Sequence, residues 1–440
     1  MIKLIFYCLL IIPIILYGQT STVQLIEPSL IKSDIDTLIS NLIQVHPTFQ
    51  SYYQENDVQK KIDSIKNEIT KPMSSLDFFR IMQSIVCIDG HTTLTYNSEG
   101  YLKIDNPFFP FRVVIHEKLL YVKENLSENK SIYKGMIIEK INGVSSDSIL
   151  KDLIRYLPGE KESYKLKSLE RDFHIIYRLV YGSYPEFNVF VNGTRYELNG
   201  AKWEDFKELQ KPKFELCFYD DDIAYIYKRN FKPPKDFIAF IDSAFRIIAD
   251  KKIKYLIIDN LRGGGLTDLA DSLMSYFTDK PYCLFEKKMT KINYLTKNFI
   301  EEKKQEGIIK NGYLIQEYNT HKSDRKNKFS GTTYILTGPL SYSAGTCFPA
   351  SAKCYSTAYI VGEESGQPLL SNGDLDKFIL KNTQIACVTS LATIYMPCNN
   401  NDRIKGVIPD YYVIPSLDDL LNDRDYTLEY TLKLIRDKKE

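Results

Sequence analysis

The chain has almost no net charge: 57 Lys and Arg stand against 56 Asp and Glu, a formal balance of +1 over 440 residues. With no basic excess and no acidic tail, nothing points to nucleic acid as a partner. Histidine is scarce, with five in the chain, so imidazole chemistry must come from His46, His91, His116, His174 or His321. No Cys-x-x-Cys pair occurs. Of the eight cysteines, Cys8 lies in an apolar N-terminal run. The others, Cys87, Cys217, Cys283, Cys347, Cys354, Cys387 and Cys398, are odd in number and irregular in spacing. This indicates neither a zinc site nor a disulfide scaffold. Cys347 and Cys354, two helical turns apart, read as core packing. Internal repeats and low-complexity tracts are absent. No Gly-Lys-Ser/Thr follows Gly263-Gly264-Gly265, which removes a phosphate loop, and the dinucleotide fingerprint fails too.

What is present is ordinary for a soluble globular protein, 44% hydrophobic and 26% charged, and long enough for two or three domains. The 32 Tyr and 23 Phe suggest strand-rich regions and aromatic-lined surfaces. Lys3, the apolar run Leu4 to Leu16 broken by Pro13, and Tyr17-Gly18-Gln19-Thr20 read as a signal peptide over residues 1–19. The run is short for a membrane span. The expectation is an exported protein, periplasmic or extracellular, without stable membrane insertion after cleavage.

Three segments follow. Residues 24–104 read as helical: apolar residues recur at Leu38, Leu42 and Val45, His46-Pro47 ends that helix, and Val58–Ile69 and Ser75–Ile88 give two more, the latter capped by Ser74 or Ser75. Asp89-Gly90 then leads into an alternating strand at His91–Tyr96. Residues 105–205 form a small β-rich module with one or two helices and Asn-Gly turns at 142–143 and 192–193. Residues 214–440 alternate strand and helix, with the wholly apolar strand Tyr255–Asp259 of the kind buried in a parallel sheet. Residues 284–330 read as an exposed, charged excursion.

The most telling stretch is Ser341-Tyr342-Ser343-Ala344-Gly345-Thr346. It follows the buried strand Thr332–Thr337 and a Gly338-Pro339 turn, and precedes a run of small residues. A strand, a tight turn, a serine and a helix hold a hydroxyl out of the sheet beside unpaired N–H groups and a positive dipole end, where an oxyanion can form. Serine needs a base. His46 reads as a cap or surface residue, His116 and His321 as turn and excursion residues, and His174 as packed; His91, on a helix-to-strand junction, is the best placed. The glycines after Asp259 permit positive φ and an anion-binding nest, or simply a turn. An α/β-hydrolase elbow is disfavoured: the leading glycine is missing and no histidine follows the serine.

Asp259 to Gly265 resembles the Asp-Leu-Arg-x-Asn-x-Gly-Gly strand-loop of the tail-specific and tricorn-like serine peptidases of the S41 class. Ser343-Ala344-Gly345 resembles their nucleophile turn, Ile360 to Gly366 their Val-Gly-Glu-x-Thr-x-Gly strand end, Gly406 to Val413 their Gly-Val-x-Pro-Asp-x-x-Val signature, and Asp89-Gly90-His91-Thr92 their Asp-x-His-Thr segment. The resemblance implies an α/β multidomain protein: a helical N-terminal region, a PDZ-like module and a ClpP/crotonase-like catalytic core. It further implies a serine peptidase acting on protein or peptide substrates without a cofactor. The position of the bacterial branch's general-base lysine is Pro368 here, so a Ser-Lys dyad is excluded. The tricorn-like branch instead implies Ser343 as nucleophile, His91 as base and a carboxylate before Gly406. Asp402 is the nearest carboxylate, slightly out of register. The N–H of Ala344, with that of Gly264 or Gly265, would form the oxyanion hole. The out-of-register acid leaves open a non-catalytic peptide- or apolar-ligand-binding protein on the same scaffold. Peptide capture by the PDZ-like module and a packing or gating role for it are equal alternatives.

Overall fold

Four helices open the described part of the chain: α1 (Pro28–Val45), α2 (Phe49–Glu55), α3 (Val58–Glu68) and α4 (Ser75–Val86). The computed structural model describes residues 24–55, 57–96, 107–207, 212–302, 306–325 and 328–439, so the signal reading at 1–19 lies outside it. Helix α1 puts Ile31, Ile35, Leu38, Leu42 and Val45 on one buried stripe. Ser74 caps α4 in a capping box: its Oγ accepts the Asp77 N–H, and the Asp77 carboxylate accepts the Ser74 N–H, both at 3.2 Å. These helices share their core with distant residues. Phe378, Leu380, Cys387 and Leu391 pack among Leu38, Leu42, Phe78 and Met82.

After the short strand β1 (Thr93–Thr95) comes the β-rich module. It comprises β2 (Phe111–His116), β3 (Leu119–Asn125), β4 (Ile137–Ile141), β5 (Val144–Ser145), α5 (Ser146–Leu153), α6 (Glu162–Tyr181), β6 (Glu186–Val191) and β7 (Thr194–Asn199). The antiparallel order is β2-β3-β4-β6-β7, with β5 on β4. Both Asn-Gly turns place both residues at positive φ, the geometry that matches strand twist in a two-residue hairpin. The segment between α5 and α6 reaches out of this module toward the serine turn.

The remainder is built around one six-stranded sheet of order β20-β17-β15-β10-β9-β8. Its strands are β8 (Phe214–Tyr219), β9 (Ile223–Lys228), β10 (Tyr255–Asp259), β15 (Thr332–Thr337), β17 (Tyr359–Gly362) and β20 (Tyr411–Tyr412). All neighbours are parallel except the β8–β9 pair. The sheet is buried on both faces, as its near-continuous apolar strands require. Ala224, Ile226, Leu256, Ile258 and Ile335 face one cluster, and Ile223, Tyr225, Ile257, Tyr334 and Leu336 face the other.

Between β10 and β15, α7 aside (Pro234–Asp250, before β10), the chain runs through β11 (Arg262–Gly263), α8 (Thr267–Met274), β12 (Lys287–Lys291), α9 (Lys297–Glu302), β13 (Ile308–Lys310) and β14 (Tyr313–Glu317). After β15 come β16 (Leu340–Ser341) and α10 (Ala344–Cys354); after β17, the long strands β18 (Leu370–Ile379) and β19 (Ala386–Tyr395); after β20, α11 (Leu417–Leu421) and α12 (Tyr426–Asp437). A second sheet has the order β1-β19-β12-β14-β13, with β18 also on β19. This corrects the reading of 284–330 as an excursion. Its β12 lies between β14 and β19, with Thr290 and Leu314 buried, because cross-strand partners cover one face of a segment whose other face stays charged.

Two further expectations are corrected. Cys354 forms a disulfide with Cys398 (S–S 2.01 Å, Cα–Cα 5.8 Å), whereas Cys347 is a buried thiol. Cys354 ends α10, where it meets a loop 44 residues away in sequence, a pairing that spacing alone cannot reveal. His46 is the C-cap of α1, one of the two alternatives read for it, but it is fully buried and not at the surface. It follows the last turn of α1, and its Nε2 lies 2.8 Å from Asp89 Oδ2.

Candidate active site

Ser343 stands at the N-cap of α10 with φ 57° and ψ −125°. This is the conformation of the first central residue of a type II′ turn, normally glycine's, and it strains any other residue by about 1–3 kcal/mol. The surroundings hold it there. Ser341 is buried and saturated: its Oγ accepts the Gly338 N–H at 3.0 Å and donates to the Asn260 carbonyl at 2.5 Å, and its carbonyl accepts from Thr346 Oγ1 and the Gly366 N–H. Ser343 is only half-buried, and its Oγ has no hydrogen bond among the described residues.

The glycine loop presses directly on this turn. Strands β11 and β16 pair in parallel, Arg262 with Leu340 and Gly263 with Ser341. A Cβ on Gly264 would lie 2.6 Å from the Tyr342 carbonyl oxygen and 3.0 Å from Ser343 Cβ. One on Gly345 would lie 2.0 Å from the Gly263 carbonyl oxygen. Only glycine permits these approaches. The Phe231 N–H takes the Gly264 carbonyl, and no carbonyl among the described residues takes the N–H of Gly264, Gly265 or Ala344. The Ala344 N–H is the first of its helix, one of the amides that no residue of the helix itself can satisfy.

His91 reaches this turn because β1 pairs antiparallel with β19, Thr93 opposite Val388. Its ring lies 5.1 Å from that of Tyr342. Its Nδ1 is 3.0 Å from the Asn372 carbonyl oxygen. A carbonyl only accepts, so in the neutral ring Nδ1 carries the proton and Nε2 keeps its lone pair, the tautomer a general base needs. Burial pushes the His91 pKa below its usual 6.5, against the pull of Asp89, the Asn372 carbonyl and Asp374. The imidazole therefore stays neutral at neutral pH. The Ser343 N–H donates to Gln367 Oε1 at 2.7 Å, and Gln367 Nε2 donates to the same Asn372 carbonyl at 3.3 Å. Gln367 thus ties the serine turn to the group that orients His91. No direct hydrogen bond joins Ser343 Oγ and His91 among the described residues.

Asp402 does not orient His91. Its carboxylate accepts the N–H groups of Ile404 (2.7 Å) and Lys405 (3.0 Å), which hold its pKa below the usual range. Short carboxylates close turns of this kind on their own backbone, and Asn372 occupies the place expected for the acid. Asp89 accepts the His91 backbone N–H at 2.9 Å. Burial works to raise the Asp89 pKa, but the charge and hydrogen bond of His46, with His91 adding to them, hold it well below the usual carboxylate range. Ser390 Oγ also donates to Asp89, at 3.0 Å. Asp89 therefore sets the backbone on which His91 stands. Gln367, Asn372 and His46 were not singled out as site residues from the sequence. The only local signal was that Gln367 adjoins Pro368, and a backbone carbonyl such as that of Asn372 leaves no side-chain signature.

Residues 222–413 match the profile of peptidase family S41. That stretch contains the glycine loop, the serine turn and β15 to β20. The matched stretch, residues 222–413, is a peptidase family S41 domain. That family is one of serine-type peptidases. Among solved structures, mature CPAF complexed with lactacystin is similar over 92% of this chain and 97% of its own, at 13% identity and a TM-score of 0.65. Mature CPAF alone is similar over 92% and 96%, at 13% identity and a TM-score of 0.64. At this identity the likeness establishes a shared multidomain α/β fold. No curated relative matches this chain.

Proposed function

We propose that this chain is an exported serine endopeptidase in which Ser343 is the nucleophile and His91 the general base. The observation that carries this is the strained II′ conformation of Ser343 at a helix start, held by Gly264 against a turn whose tyrosine touches a correctly tautomerised imidazole. In this reading Ser343 Oγ attacks a peptide carbonyl as its proton passes to His91 Nε2. The Ala344 N–H, with that of Gly264 or Gly265, stabilises the oxyanion. His91 returns the proton to the leaving amine, and water, deprotonated by His91, then releases the acyl group from Ser343. The Asn372 carbonyl orients the imidazole in place of an acid, and Asp89 and Asp374 favour the imidazolium that forms. Export is supported by the pattern at residues 1–19 and by the Cys354–Cys398 disulfide, which suits an oxidising compartment. The β-rich module at 105–205, read as PDZ-like, would present substrate to the site.

The test is hydrolysis of a mixed peptide library, with fluorophosphonate labelling mapped by mass spectrometry. Ser343→Ala should abolish labelling and lower turnover by about 10³-fold or more. Equal cleavage by both proteins would sink the assignment of Ser343. A second reading, a peptide-binding protein without catalysis, is favoured by the absence of a Ser343–His91 hydrogen bond among the described residues. Tight peptide binding with neither labelling nor cleavage would establish it.

A further inference from the structure

Tyr342, between the serine and the turn that carries His91, is held by a group from outside the catalytic core. Its hydroxyl donates to Glu160 Oε2 at 2.5 Å and accepts the Gly90 N–H at 3.0 Å. The fit at Gly90 is close: a Cβ there would lie 2.1 Å from the tyrosine oxygen. Glu160 belongs to the segment between α5 and α6, and this part of the module is anchored beside the serine turn at two further points, one of them in the first turn of α6. The Tyr164 ring lies 4.4 Å from the Tyr342 ring, and Lys161 pairs with Glu364. The other Glu160 oxygen, Oε1, is buried and makes no hydrogen bond among the described residues. An enclosed carboxyl group with one oxygen unsatisfied is costly to keep, and the expected acid, Asp402, does not explain it.

We propose that Glu160 is a positioning residue for the reaction: through the Tyr342 hydroxyl it holds the Gly90–His91 turn in register with the Ser343 turn. The inference rests on Ser343 and His91 as the reacting pair. Because Glu160 comes from the β-rich module, the catalytic geometry depends on how that module sits on the core. The bond has a pH dependence. The titratable groups facing Glu160 are Asp89 from the loop after α4, Tyr342 from the serine turn and Lys165 from α6. Burial, with the Asp89 charge adding to it, pushes the Glu160 carboxyl up to about 7 against the hydrogen bond from Tyr342. Above that pH the Tyr342 bond is charge-assisted; below it the bond is between neutral groups and roughly half as strong. The hold on His91 therefore tightens as pH rises through neutrality.

The experiment compares the unmodified mature protein with E160Q, E160A and Y342F. It measures kcat and KM against pH on a peptide the unmodified protein cleaves, and in parallel follows the His91 ring by NMR titration, which needs no activity. Thermal unfolding confirms that each variant folds. Glutamine keeps an acceptor but cannot titrate, so E160Q should retain most of kcat and lose the inflection near pH 7 in the His91 signal. E160A should lower kcat by about 10- to 100-fold with KM little changed. Y342F should do the same, and the E160A/Y342F pair should lose no more than either alone. An unchanged His91 inflection in E160Q, or an unchanged kcat in folded E160A, overturns the proposal and leaves the peptidase reading intact. A His91 inflection that follows Glu160 in a protein that cleaves nothing supports the positioning role and overturns the peptidase reading instead.

Discussion

At the scale of single residues, the site is a set of close approaches that admit no extra atom. Gly264→Ala would push a methyl group into the Tyr342 carbonyl and Ser343 Cβ. We expect kcat to fall by about 100-fold while far-UV circular dichroism stays native, because the clash falls on the nucleophile turn and a shift of about 1 Å there is enough. His91 makes a second prediction. Its pKa lies below the usual 6.5 because burial disfavours the charged ring, so in E160Q, which lacks the Glu160 step near pH 7, kcat/KM should hold through neutral pH and fall only as pH drops into the range where His91 protonates. An acidic limb above 6.5 that persists in E160Q would contradict this. Asn372 shows why residue identity alone undersells such a site: the atom that orients His91 is a main-chain oxygen, and any residue at position 372 supplies one.

At the scale of elements, the serine turn is stable because two short strands and a helix meet on it. Strand β16 pairs with β11, and α10 begins at the strained serine. The far end of α10 is pinned by the Cys354–Cys398 disulfide, which closes a loop of 44 residues. Replacing both cysteines, C354S with C398S, should lower the free energy of unfolding by about 3–4 kcal/mol, read by denaturant titration. Much at this scale was legible in advance. The stripe on α1, the Ser74 cap, both Asn-Gly hairpins and the buried parallel strands follow from local periodicity and turn chemistry. Strands β12 to β14 were not legible, because charge marks only the solvated face and β19, which joins β12 to the sheet, lies about 100 residues further on.

At the scale of the whole molecule, the site is assembled from three regions. The helical region brings His91, the core brings Ser343 and the glycine loop, and the β-rich module brings Glu160. A buried polar joint links the first two: His46, at the C-cap of α1, and Ser390, in β19, both bond Asp89. Asp89→Ala leaves His46 buried without its acceptor and should destabilise the protein by about 3–5 kcal/mol, measured by equilibrium unfolding. The pH sign is that of a depressed carboxylate. The stabilisation is fully present above the ordinary value near 3.8 and is lost as pH falls toward the lower value that Asp89 has in the folded state.

The sequence by itself determined most element types outside 284–330, the serine turn, the glycine loop and the family resemblance, because each is written in residues close together along the chain. It also excluded a lysine base, since Pro368 cannot carry a proton. Only the tertiary structure decided what surrounds His91: a carbonyl at Asn372 in place of Asp402, a carboxylate at Asp89 beneath it, and Glu160 holding its neighbour. The contacts through Asn372, Tyr342 and Glu160 join segments 182 to 281 residues apart. They are set by strand register and by how three regions pack, neither of which leaves a local pattern to read.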